Sequence, residues 1–129
     1  MNQVVAHYLD GRLLKGATGD FSPAKDSFHV VPGDGSRPVE VRSTHLKALF
    51  FVKDLQGNSG HLEKGAFDPA HPTPGRKLMV TFQDGEHLVG STQGYQPGRP
   101  GFFMVPADPD SNIERCYVVA GALKTVAFL

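Results

Sequence analysis

The chain reads DGRLLKGATGDFSPAKDSFHVVPGD from Asp10 to Asp34 and DGEHLVGSTQGYQPGRPGFFMVPAD from Asp84 to Asp108, 74 positions further on. Both stretches open with Asp-Gly, carry a glycine at their seventh position and close with Val-Pro, one further residue and Asp. A match at a fixed period is sought before any other signal, because a repeat determines the architecture of the whole chain. The two stretches therefore predict an internal duplication.

The match continues beyond both stretches, with a spacing that grows from 74 to 77 positions. Leu46-Lys47 then aligns with Leu123-Lys124, and the additional residues fall near positions 109–112, where Pro, Asp, Ser and Asn favour a loop. We therefore divide the chain into a first repeat at residues 1–53, a Pro/Gly-rich linker at residues 54–76 and a second repeat at residues 77–129.

The composition argues against several classes of partner. Lys and Arg total 13, as do Asp and Glu, so the formal net charge is zero, whereas nucleic-acid-binding domains usually show a basic excess. No apolar run is long enough to span a membrane, and the first residues lack the basic and apolar regions of a secretory signal. The single cysteine cannot form an internal disulfide. We therefore expect a cytoplasmic protein that does not bind membranes.

Short alternating segments separated by glycine and proline indicate an all-β fold. The chain has 15 Gly and 10 Pro, and no apolar pattern at helical spacing lasts even three turns. Asp10-Gly11 and Asp84-Gly85 stand between alternating apolar segments, which predicts hairpin turns of type I′. Gly16 and Gly90 fall inside the second strand of each repeat, where a glycine indicates a bend or a close backbone approach.

The repeat alignment also predicts the core and an interface. The fifth strand of each repeat is expected to bury equivalent residues, namely Leu46, Leu49 and Phe51 in the first repeat and Leu123, Val126 and Phe128 in the second. Phe50 and Val52 lie on the opposite face of this strand, where the second repeat has Ala127 and Leu129. Because these pairs differ in size, we expect Phe50 and Val52 to cover an interface between the repeats or with a second chain.

Two segments of the first repeat resemble the Sm-like fold, a small SH3-type β-barrel. The run YLDGRLLKG at Tyr8–Gly16, followed by Phe21, is similar to the first Sm signature, and VRSTHL at Val41–Leu46 is similar to a degenerate second one. The resemblance implies two tandem five-stranded barrels. LKALFFVKDLQGN at Leu46–Asn58 also resembles an uncharacterised bacterial family associated with PilZ and two-component signalling proteins.

The Sm resemblance implies a nucleotide site at the rim of each barrel. The first repeat keeps Arg42 of the family's arginine-glycine turn, and His45 and Lys47 are candidates beside it. Phe21 and Tyr95 could stack bases, with Lys25 and Arg99 near a nucleic-acid backbone; the competing interpretation is two aromatic residues at the barrel rim and two solvated charges. The match to the family pattern is incomplete, because Ser43 replaces the glycine of the second signature and Val119 replaces its arginine in the second repeat. A cyclic-di-GMP motif of the PilZ type is also incomplete, since Arg37 and Arg42 are five positions apart and no second motif follows.

The sequence gives little support for a metal site or for catalysis. The six histidines show no zinc-like spacing, although His61, Glu63, Asp68 and His71 could converge in the linker; the competing interpretation is ordinary linker polarity. Cys116 stands where the first repeat has a valine, which indicates a small buried apolar residue. The carboxylates of the Asp-Gly pairs are explained by turn formation. We expect no catalytic residues, no metal and no cofactor.

The sequence therefore favours a non-catalytic interaction or regulatory module of bacterial signalling. Such a module would dock a protein partner, or a second copy of itself, through the barrel surface or a strand edge. The alternative is the binding of RNA, or of a nucleotide of the cyclic-di-GMP type, at the barrel rim. The two functions differ in salt dependence, because nucleic-acid binding weakens steeply with salt.

Overall fold

The computed structural model describes residues 1–57 and 67–129, and within them the protein is all-β, as the sequence predicts. Ten strands lie at β1 Asn2–Tyr8, β2 Leu13–Thr18, β3 Ser27–Pro32, β4 Val39–Arg42, β5 Leu46–Val52, β6 Arg76–Phe82, β7 His87–Thr92, β8 Gly101–Pro106, β9 Ile113–Val119 and β10 Leu123–Phe128. The helices in this part of the chain are two 3₁₀ turns, Ser43–His45 and Ala120–Ala122. Neither turn is long and apolar enough to cross a membrane.

The ten strands form one open antiparallel sheet in the order β10-β6-β7-β8-β9-β5-β1-β2-β3-β4. The first repeat contributes β5-β1-β2-β3-β4, and the second contributes the equivalent order β10-β6-β7-β8-β9. The repeats meet where β5, the fifth strand of the first, pairs with β9, the fourth strand of the second. We call this pair the inner joint. Its counterparts, β4 and β10, are the two edge strands of the sheet.

The Asp-Gly hairpins are not the predicted type I′ turns. Gly11 has a φ of 92°, but no residue other than glycine has a positive φ in the described ranges, so Asp10 does not take the conformation that a type I′ turn requires. The Gly11 N–H donates to the Tyr8 carbonyl at 3.0 Å, and the Tyr8 N–H donates to the Arg12 carbonyl at 2.9 Å. The loop is therefore a three-residue one with a left-handed glycine, and Gly85 forms its equivalent.

Gly16 and Gly90 mark close backbone contacts, as predicted. A Cβ atom on Gly16 would lie 2.2 Å from the Val31 carbonyl oxygen, and one on Gly90 would lie 2.2 Å from that of Val105. Both positions therefore exclude any side chain. Here β2 and β7 each pair with the strands on both of their sides.

Two apolar clusters form the core, and the inner joint contributes to both. Ala48, Phe50 and Val52 of β5 pack into the cluster of the second repeat, together with Cys116 and Val118 of β9. These side chains lie on one face of the two paired strands, since alternate residues of a strand share a face. The fifth strand of the first repeat is therefore part of the core of the second.

The opposite face of the inner joint packs into the cluster of the first repeat. Leu49 and Phe51 of β5 join Tyr117 and Val119 of β9 there. Each repeat thus contributes a strand to the core of the other, and both cores depend on the joint.

Candidate docking edge and inter-repeat cleft

Strands β5 and β10 occupy equivalent positions in the two repeats but differ in exposure. Every residue of β5 is buried, because β9 covers it. In β10, Leu123 and Val126 are half-buried, and Phe128 is 39% exposed. The prediction that Phe128 lies in the core, as Phe51 does, is therefore wrong, since β10 is the last strand of the sheet. This uncovered strand is the candidate docking edge.

The free side of β10 presents unpaired backbone groups at the positions that the inner joint uses. The Leu129 N–H donates to the Lys77 carbonyl at 2.9 Å, and by antiparallel alternation Ala127 also turns its backbone groups towards β6. The same alternation turns the N–H and C=O groups of Val126 and Phe128 to the free side. In the inner joint the equivalent residues Leu49 and Phe51 pair with Tyr117 and Arg115 of β9.

The other edge strand, β4, is better protected against pairing. The Ser43 N–H donates to the Asp26 carbonyl at 3.0 Å, so the free side of β4 presents the backbone groups of Glu40 and Arg42. The next position on that side is Pro38, which has no N–H to donate. Charged side chains and proline are common protections of an edge strand. We therefore take β10 rather than β4 as the candidate edge.

A groove of about 310 Å³ lies beside β10, and we call it the outer groove. Tyr95, Arg99 and Phe102 contribute to one wall, and Lys124 and Val126 of β10 contribute to the other. The groove therefore combines aromatic surface, two basic side chains and an unpaired strand.

The equivalent space in the first repeat is filled by β9. Phe21, the counterpart of Tyr95, lies 5.2 Å from the ring of Tyr117, which the second repeat supplies. Among the described residues, Tyr95 contacts only rings of its own repeat, Phe102 at 5.0 Å and Phe128 at 5.4 Å. The outer groove thus lacks the ring that Tyr117 places in the inner joint.

Lys47 of β5 forms ion pairs across the repeats. Its ammonium lies 2.7 Å from the Asp84 carboxylate and 2.9 Å from that of Glu86, and it lies 4.6 Å from the ring centre of Phe82. Burial acts to lower the pKa of Lys47, but the hydrogen bonds to both carboxylates outweigh it and raise the pKa. The hydrogen bond from Lys47 also lowers the pKa of Asp84. Asp84 therefore does more than form a turn, contrary to the prediction.

Lys124, the counterpart of Lys47, is exposed at the outer groove. Within residues 1–57 and 67–129 neither Lys124 nor Arg99 forms an ion pair. The positive charges of these two side chains would therefore attract a carboxylate to the groove.

A cation covers the last aromatic ring of the fifth strand in both repeats, but its source differs. Arg115 of β9 lies 4.3 Å from the ring centre of Phe51, so the second repeat supplies this contact. Phe128 is covered instead by Arg76 of its own repeat, at 3.7 Å. The end of β10 therefore needs no arginine from a partner.

Two further cavities form a cleft where the repeats meet. One, of about 460 Å³, has Lys25 and Arg99 on its walls, and the other, of about 450 Å³, has Arg99 and Arg115. Pro23 and Tyr117 line both. Burial raises the pKa of the Tyr117 hydroxyl, which keeps it a neutral hydrogen-bonding group. The walls of the cleft therefore combine three cations, the Asp26 carboxylate and apolar surface.

The ligand residues predicted from the Sm resemblance do not form one site. Lys25 and Arg99 share the wall of the 460 Å³ cavity, which does not include Arg42 or His45. Those two side chains are exposed on β4 and the following turn. Lys47 is buried and held by carboxylates. The structure thus brings two of the predicted basic residues together and separates the others from them.

The predicted aromatic and interface residues lie within apolar clusters. Phe21 and Tyr95 are half-buried beside these clusters, rather than exposed as platforms for stacking a base. Phe50 and Val52 are 6% and 8% exposed and pack into the cluster of the second repeat. Cys116 is fully buried, as predicted, and desolvation raises its pKa to about 12, which disfavours the nucleophilic thiolate.

The histidines form no metal centre in the part of the chain that the structure describes, where no group of three or more His, Cys, Asp or Glu side chains converges. His71 lies 3.0 Å from the Asp68 carboxylate. The other two members of the predicted linker cluster, His61 and Glu63, lie outside the described residues.

Sequence reasoning did not identify the outer groove. Lys124 and Val126 match Lys47 and Leu49 as repeat positions, and nothing in the sequence states that only one of the two strands is covered. The sequence signal for it was the difference in size between Phe50 and its counterpart Ala127, which indicates that the two fifth strands have different surroundings.

Comparison with known proteins gives a family but no activity. The model of a family of unknown function (DUF6982) matches residues 1–129. No curated protein and no solved structure matches the chain.

Proposed function

Because the chain belongs to DUF6982, a family of unknown function, its role has to be inferred from its own geometry, and we propose that it is a non-catalytic docking module whose β10 edge binds a strand of a partner protein. The contrast between β5 and β10 carries this proposal, since β5 holds a strand and the equivalent β10 does not. Addition of a strand to a free edge supplies backbone hydrogen bonds, and a groove beside the edge supplies specificity.

The proposal treats each repeat as a small Sm-like barrel of the SH3 type. The same five-strand order in both repeats supports it, as do the glycines that let β2 and β7 bend between two neighbours. The resemblance of residues 46–58 to a family associated with PilZ and two-component proteins supports a setting in bacterial signalling. In that setting the module would regulate a protein to which it binds.

The test uses the strand that the protein itself binds. A fluorescein-labelled peptide with the sequence of residues 110–121, carrying Cys116→Ser, is titrated with the full chain and followed by fluorescence anisotropy. Val126→Pro removes an N–H that faces the free side, so the hydrogen bonds to β6 are kept. We expect this variant to bind the peptide about five- to tenfold more weakly, because a net hydrogen bond contributes about 1 kcal/mol.

Glu40→Pro is the matched control, since it removes an outward N–H from the other edge strand, β4. We expect it to bind the peptide as the unaltered protein does. Circular dichroism of both variants checks that the sheet is intact. Equal peptide binding by Val126→Pro and the unaltered protein would exclude docking at β10.

A second candidate function, binding of RNA or a cyclic dinucleotide, is favoured by Lys25 and Arg99 on one cavity wall. Labelled single-stranded RNA and cyclic-di-GMP are titrated at two salt concentrations. For a protein-docking module we expect RNA binding no tighter than the ~10⁻⁴–10⁻⁶ M of non-specific contacts at physiological salt. Nanomolar, salt-sensitive binding that Arg99→Ala abolishes would establish the second candidate instead.

A further inference from the structure

We infer that the strand bound at β10 carries an aromatic residue opposite Val126 and, after it, an aspartate or glutamate within reach of Lys124 and Arg99. This inference rests on the proposed docking function and adds the chemistry of the partner. The aromatic residue follows from a position-by-position comparison of the outer groove with the inner joint, and the carboxylate follows from the unpaired cations of the groove.

The aromatic residue follows from what fills the inner joint. Tyr117 pairs with Leu49, and its ring packs against Phe21. Val126 and Tyr95 are the counterparts of Leu49 and Phe21, and both line the outer groove. A ring opposite Val126 would meet Tyr95 in the edge-to-face contact that aromatic pairs prefer. A groove of about 310 Å³ has room for such a side chain.

The carboxylate follows from the unpaired cations. Lys124 lies at a break in the strand register, so charge rather than strand pairing places the carboxylate near it. Lys124 and Arg99 both line the groove, and neither has an ion-pair partner among the described residues. Lys47, in the equivalent position, is held by two carboxylates. An aspartate or glutamate on the partner would supply the missing charge.

The face of β10 that carries Thr125 and Ala127 also bears on the partner, because it indicates that an isolated extended segment is sufficient. In the inner joint Ala48 and Phe50 insert into the core of the second repeat. Their counterparts, Thr125 and Ala127, are small and exposed, so this face of β10 itself presents no large side chain; the counterpart of Val52 is Leu129, which follows β10 and is 68% exposed. The partner therefore contributes side chains to the groove without needing a core that receives one from β10.

A second copy of the chain fits this groove poorly in the register of the inner joint. Its β4 would place Glu40 at the aromatic position and Arg42 near Lys124, which brings two cations together. Pro38 would stand opposite Phe128 without an N–H to donate. The groove therefore favours a different protein over self-association.

Peptides that differ at the two positions test the inference. The reference peptide has the sequence of residues 110–121 with Cys116→Ser and Val119→Glu, so that it contains an aromatic residue and an acid two positions apart. One variant adds Tyr117→Ala, and another carries Val119→Gln in place of the glutamate. The protein is used as the full chain, as Lys124→Ala and as the control Lys77→Ala, which removes an exposed lysine of β6.

We expect Tyr117→Ala to weaken peptide binding at least about tenfold, because a buried aromatic side chain is a common hot spot. The glutamine peptide should bind about threefold more weakly than the glutamate peptide. Lys124→Ala should remove that difference, whereas Lys77→Ala should retain it. Sedimentation velocity of the protein alone should show a monomer.

The opposite results separate the inference from the function on which it rests. If Val126→Pro weakens all peptides while the tyrosine and alanine peptides bind equally, docking at β10 stands and the aromatic–acidic inference fails. If no peptide binds, both fail. If the protein alone forms oligomers that both Val126→Pro and Glu40→Pro dissociate, the partner is a second copy and the inference is overturned.

Discussion

Strands β5 and β10 are the fifth strands of the two repeats, yet β5 is wholly buried and β10 is largely exposed. The difference comes from their neighbours, because β5 is covered by β9 and β10 is the end of the sheet. Phe50, which enters the core of the other repeat, corresponds to the exposed Ala127. The position of a residue in the repeat therefore predicts the strand to which it belongs. How much the residue contributes to stability depends on what covers that strand.

The largest expected effect on stability comes from placing a negative charge in the inner joint, compared with the same charge on the edge strand β10. Phe50→Asp should destabilise the protein by about 4 kcal/mol or more, because it removes a buried ring and buries an unpaired carboxylate. The matched change Ala127→Asp, on exposed β10, should alter the free energy of unfolding by no more than about 0.5 kcal/mol. Urea unfolding followed by circular dichroism measures both. Similar losses in the two variants would contradict the unequal roles of β5 and β10.

The next effect tests a feature that the repeats share. Gly16→Ala and Gly90→Ala should each destabilise the protein by about 2–3 kcal/mol, because the added Cβ would overlap a carbonyl oxygen of the neighbouring strand. Gly121→Ala is the control, since no atom lies within 4 Å of its built Cβ. Thermal unfolding of the three variants gives the comparison. If only one of the two strand glycines mattered, the close approach would not be common to both repeats.

A smaller effect separates the two equivalent lysines. Lys47→Ala should cost about 1–2 kcal/mol, because it removes a buried aliphatic stem and leaves Asp84 and Glu86 without their cation. Lys124→Ala should change stability by less than about 0.5 kcal/mol, as is usual for an exposed side chain. Chemical denaturation measures both values. Equal losses would show that the ion pairs of Lys47 with Asp84 and Glu86 contribute nothing to stability.

A further effect appears only at low pH and concerns His7. Desolvation lowers the pKa of His7 from 6.5 to about 4, Glu86 opposes this shift, and Lys47 and Lys15 add to it. The unfolded chain therefore binds the proton of His7 more readily, so the contribution of neutral His7 to stability is fully present above about pH 6.5 and is lost as the pH drops towards 4.

His7→Gln should reduce the fall in melting temperature between pH 6.5 and 4, because it removes the group that titrates there. His45→Gln, at an exposed histidine of the first repeat, should leave the fall unchanged. Scanning calorimetry across this pH range measures both. An identical pH dependence in His7→Gln and the unaltered protein would exclude His7 as the cause.

The sequence predicted the features that depend on local pattern and on the duplication. The all-β class follows from alternation and turn residues, and the close contacts at Gly16 and Gly90 follow from glycine inside a strand. The turn type was wrong, because an Asp-Gly pair serves a two-residue loop and a three-residue loop equally well. The inner joint was not predicted in detail, since the pairing of β5 with β9 joins distant segments and leaves no local signal.

Only part of the candidate site was predicted from the sequence, because contacts between distant segments leave no local signal. Lys25 and Arg99 do share a cavity, but Lys47 is neutralised by Asp84 and Glu86, which lie in a different repeat. A contact between repeats is invisible to reasoning that considers each repeat separately. The inequality of Phe50 and Ala127 indicated that such a contact exists, without indicating where its partner lies.

The inner joint also has a consequence for synthesis on the ribosome. Strand β5 ends at Val52, and β9, which covers it, begins at Ile113. At about 5–20 residues per second, the ribosome needs on the order of several seconds to make the intervening segment. During that time the nascent chain exposes Leu49 and Phe51 on an unpaired strand edge, which is the kind of surface that chaperones bind and that aggregates when left uncovered. The first repeat thus completes its fold only after most of the second has been translated.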